Sequence, residues 1–283
     1  MALTSLKDTV QKYGLLAKKS LGQNFLLDMN ITRKIIKESL RIRGKESLIV
    51  DNMIEVGPGP GGLTRAVLES KPKSLTVIEM DERCLKIMEE LNAENDIPMT
   101  IISGDALKQN FVLMAEKPRS IISNLPYNIS VPLLTGWLKN AGEYESLTLM
   151  FQKEVADRIL AETGCKEYGR ISVLSQLTCK ISRLFDLNPN NFVPAPKIWS
   201  TVLLFQPYSK QPEPKILQKV EELTAAAFGQ RRKMIRQSLK GIKGVKEALD
   251  YLNISAELRA EDVAPQEYLQ IAEFLSAKDT DSL

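Results

Sequence analysis

The chain has 283 residues, 43% hydrophobic and 26% charged, with a formal net charge of +3, which is the composition of a globular protein with room for one domain of about 200 residues and a smaller second one. It contains no histidine, so His-based triads, imidazole bases and His-metal sites are excluded, and carboxylates, amides, Lys, Tyr and Cys are left for any chemistry. Cys84, Cys165 and Cys179 show no C-x-x-C spacing, no run reaches the roughly 18 apolar residues of a membrane span, and the first residues lack a signal peptide's apolar core; no disulfide framework, zinc or membrane partner is expected, and a cytoplasmic location is.

Residues 1–27 read as a basic, irregular N-terminal arm that includes Lys18 and Lys19. Asp28 is a candidate N-cap for a helix to about Arg43, with Ile31, Ile35, Ile36 and Leu40 on its apolar face. Strands are expected at 48–56, 74–79, 99–103, 120–123 and 146–151. Helices are expected at 61–70, 81–92, from about Ser130, and at 152–162. This alternation is that of a doubly wound α/β sheet with helices on both faces. Two longer strands, 176–187 and 199–206, fit an antiparallel edge on that sheet. Pro207–Pro214 reads as a linker, and only helical patterns follow. The domains expected are therefore 28–207 and a small all-helical 208–283 behind the arm.

Charge is uneven along this order. Residues 1–50 hold ten Lys/Arg against four Asp/Glu, and residues 257–283 hold seven acids against two bases. A nucleic acid is one candidate partner for such a front.

The stretch Glu55-Val56-Gly57-Pro58-Gly59-Pro60-Gly61-Gly62 ends the first strand and opens a helix, placing a small-molecule site at the carboxyl edge of the sheet. Gly57, Gly59 and Gly62 satisfy G-x-G-x-x-G, the spacing of a dinucleotide turn. Pro58 and Pro60, however, each remove an N–H that a pyrophosphate would need, and Glu55 adds negative charge. A phosphate-free, cationic adenosine, S-adenosylmethionine, suits the loop better. The other reading is an ordinary strand-to-helix turn.

Glu79 closes the second strand 22 positions after Gly57, where such folds place the acid that binds ribose hydroxyls; the plain alternative is a solvated strand-end charge. Asp105 is read as an acceptor for an adenine amino group or as a helix N-cap. Asn124-Leu125-Pro126-Tyr127 follows the fourth strand at the same edge. An exocyclic amine is a poor nucleophile because its lone pair is delocalised. Acceptors for both its N–H groups, the Asn124 amide oxygen and the Leu125 carbonyl, would favour a pyramidal nitrogen. Pro126 would fix the turn, and Tyr127 would offer a stacking face. Phe192 is read as a second stacking face or as an aromatic plugging the core. Arg231, Arg232, Lys233 and Arg236 lie in a run read as helical, with Arg232, Arg236 and Lys240 forming a stripe able to meet phosphates.

These pieces, together with Lys18-Lys19-Ser20-Leu21-Gly22-Gln23-Asn24-Phe25-Leu26, Phe192-Val193-Pro194-Ala195-Pro196-Lys197 and Phe228-Gly229-Gln230-Arg231-Arg232-Lys233, run in one order from Lys18 to about Lys240. In that register the chain resembles the ribosomal RNA adenine N6,N6-dimethyltransferases, most closely their bacterial small-subunit (16S) branch. The resemblance implies a Rossmann-like class I methyltransferase sheet with a small helical C-terminal RNA-binding domain. It implies an S-adenosyl-L-methionine-dependent enzyme that dimethylates two adjacent adenines near the 3′ end of 16S rRNA in the small subunit. It also implies cofactor contacts at Asn24, Leu26, Gly57, Glu79, Asp105 and Asn124, a lid role for the arm, and Tyr127 and Phe192 flanking the target adenine. A monomer is expected. The competing readings are a large-subunit (23S) adenine methyltransferase, a non-catalytic RNA-binding assembly factor on the same fold, and, through the glycine spacing, an NAD-dependent dehydrogenase.

Overall fold

A computed structural model describes residues 5–15 and 24–280. The described residues divide into two compact units. The larger runs to Trp137 and adds Glu143–Lys153 and Ser182–Gln206; the smaller takes Leu138–Gly142, Glu154–Ile181 and the residues from Pro207 onward. The smaller unit thus draws on 138–142 and 154–181 as well as on the chain after 207.

In the larger unit, α1 (Leu6–Lys12) is capped by the Ser5 hydroxyl, which accepts from Asp8 N–H. The short β1 (Phe25–Leu26) comes next, then α2 (Met29–Arg43). Asp28 caps α2 by accepting from Asn30 N–H, and Gly44 ends it in the left-handed region that glycine adopts without penalty. There follow β2 (Asn52–Val56), α3 (Gly62–Glu69), β3 (Ser74–Glu79), α4 (Glu82–Ala93), β4 (Met99–Ser103), β5 (Arg119–Asn124), α5 (Tyr127–Leu138) and β6 (Ser146–Gln152). The last strands are β7 (Cys179–Leu187), β8 (Phe192–Val193) and β9 (Ser200–Pro207).

Seven strands form one sheet in the order β4-β3-β2-β5-β6-β9-β7. The pairs β2–β3, β3–β4, β2–β5 and β5–β6 are parallel, and β9 runs antiparallel to β6. One face packs Met53, Leu75, Val77, Ile122 and Met150 against Ile35 and Ile36 of α2, Ala66 and Val67 of α3, and Ile87 and Met88 of α4. Alternate residues Ile54, Val56, Ile78 and Ile121 are buried as well. Burial on both faces is why these strands read as continuous apolar runs, each large aliphatic contributing roughly 1.5–3 kcal/mol. Order reverses beside β2, since β3 and β4 extend one way and β5 and β6 the other, which makes the β2/β5 edge the switch point where ligands bind in open α/β sheets.

Several expected bounds shift. Residues 48–51 are not strand: Leu48 is buried, Ile49 and Val50 are exposed, and Asp51 accepts from Arg43 Nη2 at 2.8 Å in a buried ion pair that ends the loop. The helix expected from Ser130 begins at Tyr127, directly after the turn that Pro126 enforces. The arm, expected to be irregular, contains α1.

The smaller unit is built from α6 (Lys153–Leu160), α7 (Arg170–Thr178), α8 (Pro214–Gly229), α9 (Ile235–Ser238), α10 (Val245–Tyr251) and α11 (Pro265–Thr280). Helix α7 takes the start of the strand expected at 176–187. Its Val173 and Leu177, one helical turn apart, join the core with Tyr168, Leu223 and Tyr268, and that packing overrides the alternation at Leu177-Thr178-Cys179. The rings of Tyr168 and Tyr268 sit either side of Phe228, at 5.9 and 6.1 Å between centroids. Their hydroxyls donate to Val263 and Ala260 carbonyls at 3.0 and 2.9 Å, so each buried tyrosine is satisfied.

Candidate active site

A cavity of about 440 Å³ opens at the carboxyl ends of β2, β3, β4 and β5. It is lined by Asn24, Phe25 and Leu26 from the arm, Gly57–Pro60 after β2, Glu79–Asp81 after β3, Gly104–Leu107 after β4, and Asn124–Ile129 after β5. Every cofactor residue named from the sequence, Asn24, Leu26, Gly57, Glu79, Asp105 and Asn124, is therefore brought to one cavity, together with Leu125, Pro126 and Tyr127.

The glycine turn is built for protein packing as much as for ligand approach. Gly57 and Gly59 have φ of +65° and +55°, where side chains are strained. At Gly62 a Cβ would stand 2.4 Å from the Leu26 carbonyl oxygen, so this glycine lets the arm lie on the start of α3. The N–H groups of the turn are already taken. Gly57 donates to Ile78 O at 2.9 Å, Gly61 to Pro58 O at 3.0 Å, and Gly59 to the Glu79 carboxylate at 3.3 Å, while Pro58 and Pro60 have no N–H to give. From 57 to 61 no donor is left for a pyrophosphate, which counts against the dinucleotide reading.

Carboxylates take the place of phosphate-binding donors. Glu79, 9% exposed, also accepts from Met80 and Asp81 N–H at 2.7 and 2.9 Å. Three N–H groups hold the carboxylate, two on Oε1 and one on Oε2, so Oε2 keeps capacity for a ligand hydroxyl. Glu55 lies beneath the turn, 1% exposed, with Oε2 lacking any hydrogen-bond partner. Burial pushes its carboxyl up to about 8, against the pull of the Thr64 hydroxyl and with the Glu79 charge adding to the rise. Asp105 accepts from Leu107 N–H at 2.9 Å as the N-cap of a single 3-10 turn, so its capping role is real and leaves the second oxygen for a ligand. Met80 and Leu107, exposed by 67% and 48%, stand beside these acids in the lining and offer apolar surface for a purine. Nothing in the sequence marks them, since an exposed aliphatic side chain after a strand carries no pattern.

Asn124 ends β5, and its Nδ2 donates to the main-chain oxygen of Asn24 at 3.1 Å. A carbonyl can only accept, so this contact fixes which half of the amide is which and turns Oδ1 away as an acceptor. Pro126 lies against the glycine turn, its Cδ 3.5 Å from where a Gly57 Cβ would be. Tyr127 hydrogen-bonds Ser200 Oγ at 2.7 Å, and burial raises its phenol pKa while that bond lowers it. Such a ring is held in one orientation and stays neutral.

Other expectations are not met in this way. Phe192 does not line the cavity: it is 2% exposed, opposes Leu26 in the β1–β8 pair, and belongs to the core that holds Phe25 and Leu187. It plugs the core, and its face is closed to a base. The helical stripe through Arg232, Arg236 and Lys240 is also absent. Helix α8 stops at Gly229, and residues 230–234 cross to the 255–262 segment through Ile235 N–H to Leu258 O, Arg236 N–H to Ala256 O and a bridge between Met234 and Arg259. Arg231 is turned inward to Glu261 and donates to Cys165 O at 3.3 Å; Arg232, Lys233 and Arg236 are exposed. Lys18 and Lys19 lie outside the described residues.

The arrangement fits S-adenosylmethionine: the acids Glu79 and Asp105, apolar faces and the Asn124 amide, beside a 57–61 turn whose N–H groups are already paired. Comparison with known proteins agrees. The family model for ribosomal RNA adenine dimethylases matches residues 14–277. The ribosomal RNA small subunit methyltransferase A of Gluconobacter oxydans is 44% identical over 273 residues, covering 96% of this chain and 88% of its own. That of Agrobacterium fabrum is 44% identical over 278 residues, covering 96% and 98%. Among solved structures, a dimethyladenosine transferase from Plasmodium falciparum has a TM-score of 0.75 at 23% identity, over 88% of this chain and 96% of its own. The 23S rRNA methyltransferase ErmE has a TM-score of 0.65 at 22% identity, over 89% and 100%. At those identities the structural likeness is one of fold, whereas the family match spans nearly the whole sequence, and the chain belongs to the ribosomal RNA adenine dimethylase family.

Proposed function

We propose that this protein transfers methyl groups from S-adenosylmethionine to N6 of two adjacent adenines near the 3′ end of 16S rRNA, during small-subunit assembly, as a cytoplasmic monomer. The observation that carries the reading is the Asn124 amide, fixed by Asn24 so that Oδ1 is an acceptor at the switch point of the sheet. The family match and the relatives named for the small subunit support the 16S assignment.

The chain's own residues then have these roles. Glu79 accepts from ribose hydroxyls, Asp105 accepts from the adenine amino group of the cofactor, and Met80 and Leu107 cover the ring faces. Leu26 and Asn24 close the cavity from the arm, and Gly57 keeps the turn clear. Bound S-adenosylmethionine supplies an electrophilic sulfonium methyl. Asn124 Oδ1 and the Leu125 carbonyl accept both N–H groups of the target amine, which favours a pyramidal nitrogen and stabilises the positive charge that grows on N6. Once N6 carries that charge its proton is acidic enough to leave to water, so the absence of histidine costs the reaction nothing. Pro126 sets the turn and Tyr127 offers its ring to the base. On the RNA side, Arg232, Lys233 and Arg236 of the 208–283 region meet phosphates, and Lys18 and Lys19 are assigned the same role on the arm.

Incubation with labelled cofactor and small subunits that lack the modification is expected to label adenine N6 in 16S rRNA. Label in 23S rRNA instead would move the enzyme to the large-subunit branch, and cofactor binding without any transfer would leave only an assembly factor.

A further inference from the structure

The segment between β8 and β9 is tied to the cavity at both ends. At one end Val193 opposes Phe25, and at the other Ser200 Oγ meets the Tyr127 hydroxyl at 2.7 Å; Phe25 and Tyr127 both line the cavity. Between these anchors the chain exposes apolar surface where a folded protein ordinarily hides it: Val193 is 54% exposed, Ile198 37% and Trp199 47%. The Trp199 backbone is held, its carbonyl accepting from Lys153 N–H at 2.8 Å and its neighbour Ser200 pairing with Gln152 in the sheet. Lys197, two residues before, is exposed and cationic.

We propose that Trp199 is the stacking platform for the nucleobase next to the target adenine, with Lys197 drawing in the phosphate between them. The inference rests on the RNA reading above. A base drawn into the cavity from a single strand leaves its chain neighbours at the rim, and half-exposed Trp199 directly precedes Ser200, which holds the hydroxyl of the cavity-lining Tyr127. Indole is the largest π-surface among the side chains and is indifferent to which base it meets. Because the backbone under it is already fixed, little ordering remains to be done on binding. Trp199 touches no reacting atom; it is a positioning residue.

The chain has two tryptophans, and the other, Trp137, is 2% exposed, so indole fluorescence reports Trp199 against a buried internal reference. Titrating the full chain, with S-adenosylhomocysteine present, with a single-stranded oligoribonucleotide containing two adjacent adenines is expected to quench the exposed component. Trp199→Phe should remove that signal while retaining binding. With small subunits that lack the modification as methyl acceptor, Trp199→Ala should raise KM by about 5- to 150-fold, the range of one base–aromatic stack, with a smaller effect on kcat and with Trp199→Phe recovering most of the loss. Replacing the base beside the target by an abasic site should cost wild type the same factor and Trp199→Ala almost nothing. If wild type transfers methyl groups but Trp199→Ala keeps its KM, or if the emission does not move on RNA binding, the proposal is overturned. A loss in Trp199→Ala that is just as large when the neighbouring base is abasic would assign the face to something other than that base and overturn it too. No transfer by wild type to any rRNA would instead fail the functional reading, and this inference with it.

Discussion

Asn124 Nδ2 donates to Asn24 O across 3.1 Å and 100 positions of sequence, and this one hydrogen bond makes the orientation of the Asn124 amide depend on the arm. It orients Oδ1, and it means that anything displacing residues 24–26 also misaligns the acceptor proposed for the target amine. Asn124→Ala is expected to lower kcat by roughly 100- to 1,000-fold, the cost of removing one group aimed at transition-state charge, with rRNA affinity little changed. Asn124→Asp should be no better, since its carboxylate would face the Asn24 carbonyl without a donor. Single-turnover rates and filter binding check this; equal losses in rate and affinity would contradict the role.

Glu79 accepts from Gly59, Met80 and Asp81 N–H. In Glu79→Gln one oxygen becomes a donor, so at least one of those N–H groups loses its acceptor at a cost of about 1–3 kcal/mol. Calorimetric titration with S-adenosylmethionine should show affinity weakened by roughly tenfold or more, alongside a lower melting temperature. A lower melting temperature with unchanged cofactor affinity would reduce Glu79 to a structural clamp.

Burial raises Glu55 from 4.5 to about 8, so the folded chain holds a proton that the unfolded chain releases. The stability this contributes is complete below the unfolded value and is lost as pH rises through about 8, at about 1.4 kcal/mol per pH unit in between. Denaturant midpoints of wild type should therefore fall relative to those of Glu55→Gln across that window, and identical profiles would refute the assignment. A cationic cofactor placed nearby favours the carboxylate form, so binding within the window is expected to release protons, read as buffer-dependent binding heats.

Two glycine substitutions should act in opposite directions. Gly62→Ala would put a Cβ 2.4 Å from Leu26 O, pushing β1 off α3, with destabilisation of about 1–3 kcal/mol and weaker cofactor binding. Gly136→Ala in α5 meets nothing within 4 Å and should stabilise by about 0.5–1 kcal/mol. Thermal melts of both variants test the pair, and a stabilised Gly62→Ala would falsify the packing argument.

Arg231 and Arg236 separate structure from RNA contact. Arg231 pairs with Glu261, partly exposed on both sides, so Arg231→Ala should cost no more than about 1 kcal/mol of stability. Arg236→Ala should leave the melt alone and reduce the slope of log rRNA affinity against log salt by about one phosphate contact. If Arg236→Ala leaves the salt dependence unchanged, that face does not meet RNA.

Much of the fold was legible because its signals are local. The bounds of β3 and β4, the Asp28 cap and the acids after β3 and β4 follow from apolar periodicity and from short-range capping chemistry, and the antiparallel edge from the length and position of the last strands. Pro58 and Pro60 argued against a pyrophosphate by covalent structure alone. Signals that depend on distant packing were not legible. Helix α7 is held by a core shared with α8 and α11, and the basic run after Gly229 is drawn away from helix by the 255–262 segment. Lys18 and Lys19 were legible only as charge.

The sequence by itself determined which residues could gather at the carboxyl edge of the sheet, because strand periodicity and glycine and proline stereochemistry act over a few neighbours. Only the tertiary structure decided how each of them is placed and partnered there. It filled the N–H groups of the Gly57–Gly61 turn, closed Phe192 into the core, left Trp199 exposed next to Ser200, the partner of Tyr127, and set the Asn124 amide by a carbonyl 100 residues away. Burial and hydrogen-bond partnership belong to neighbours in space, and the chain order does not name them.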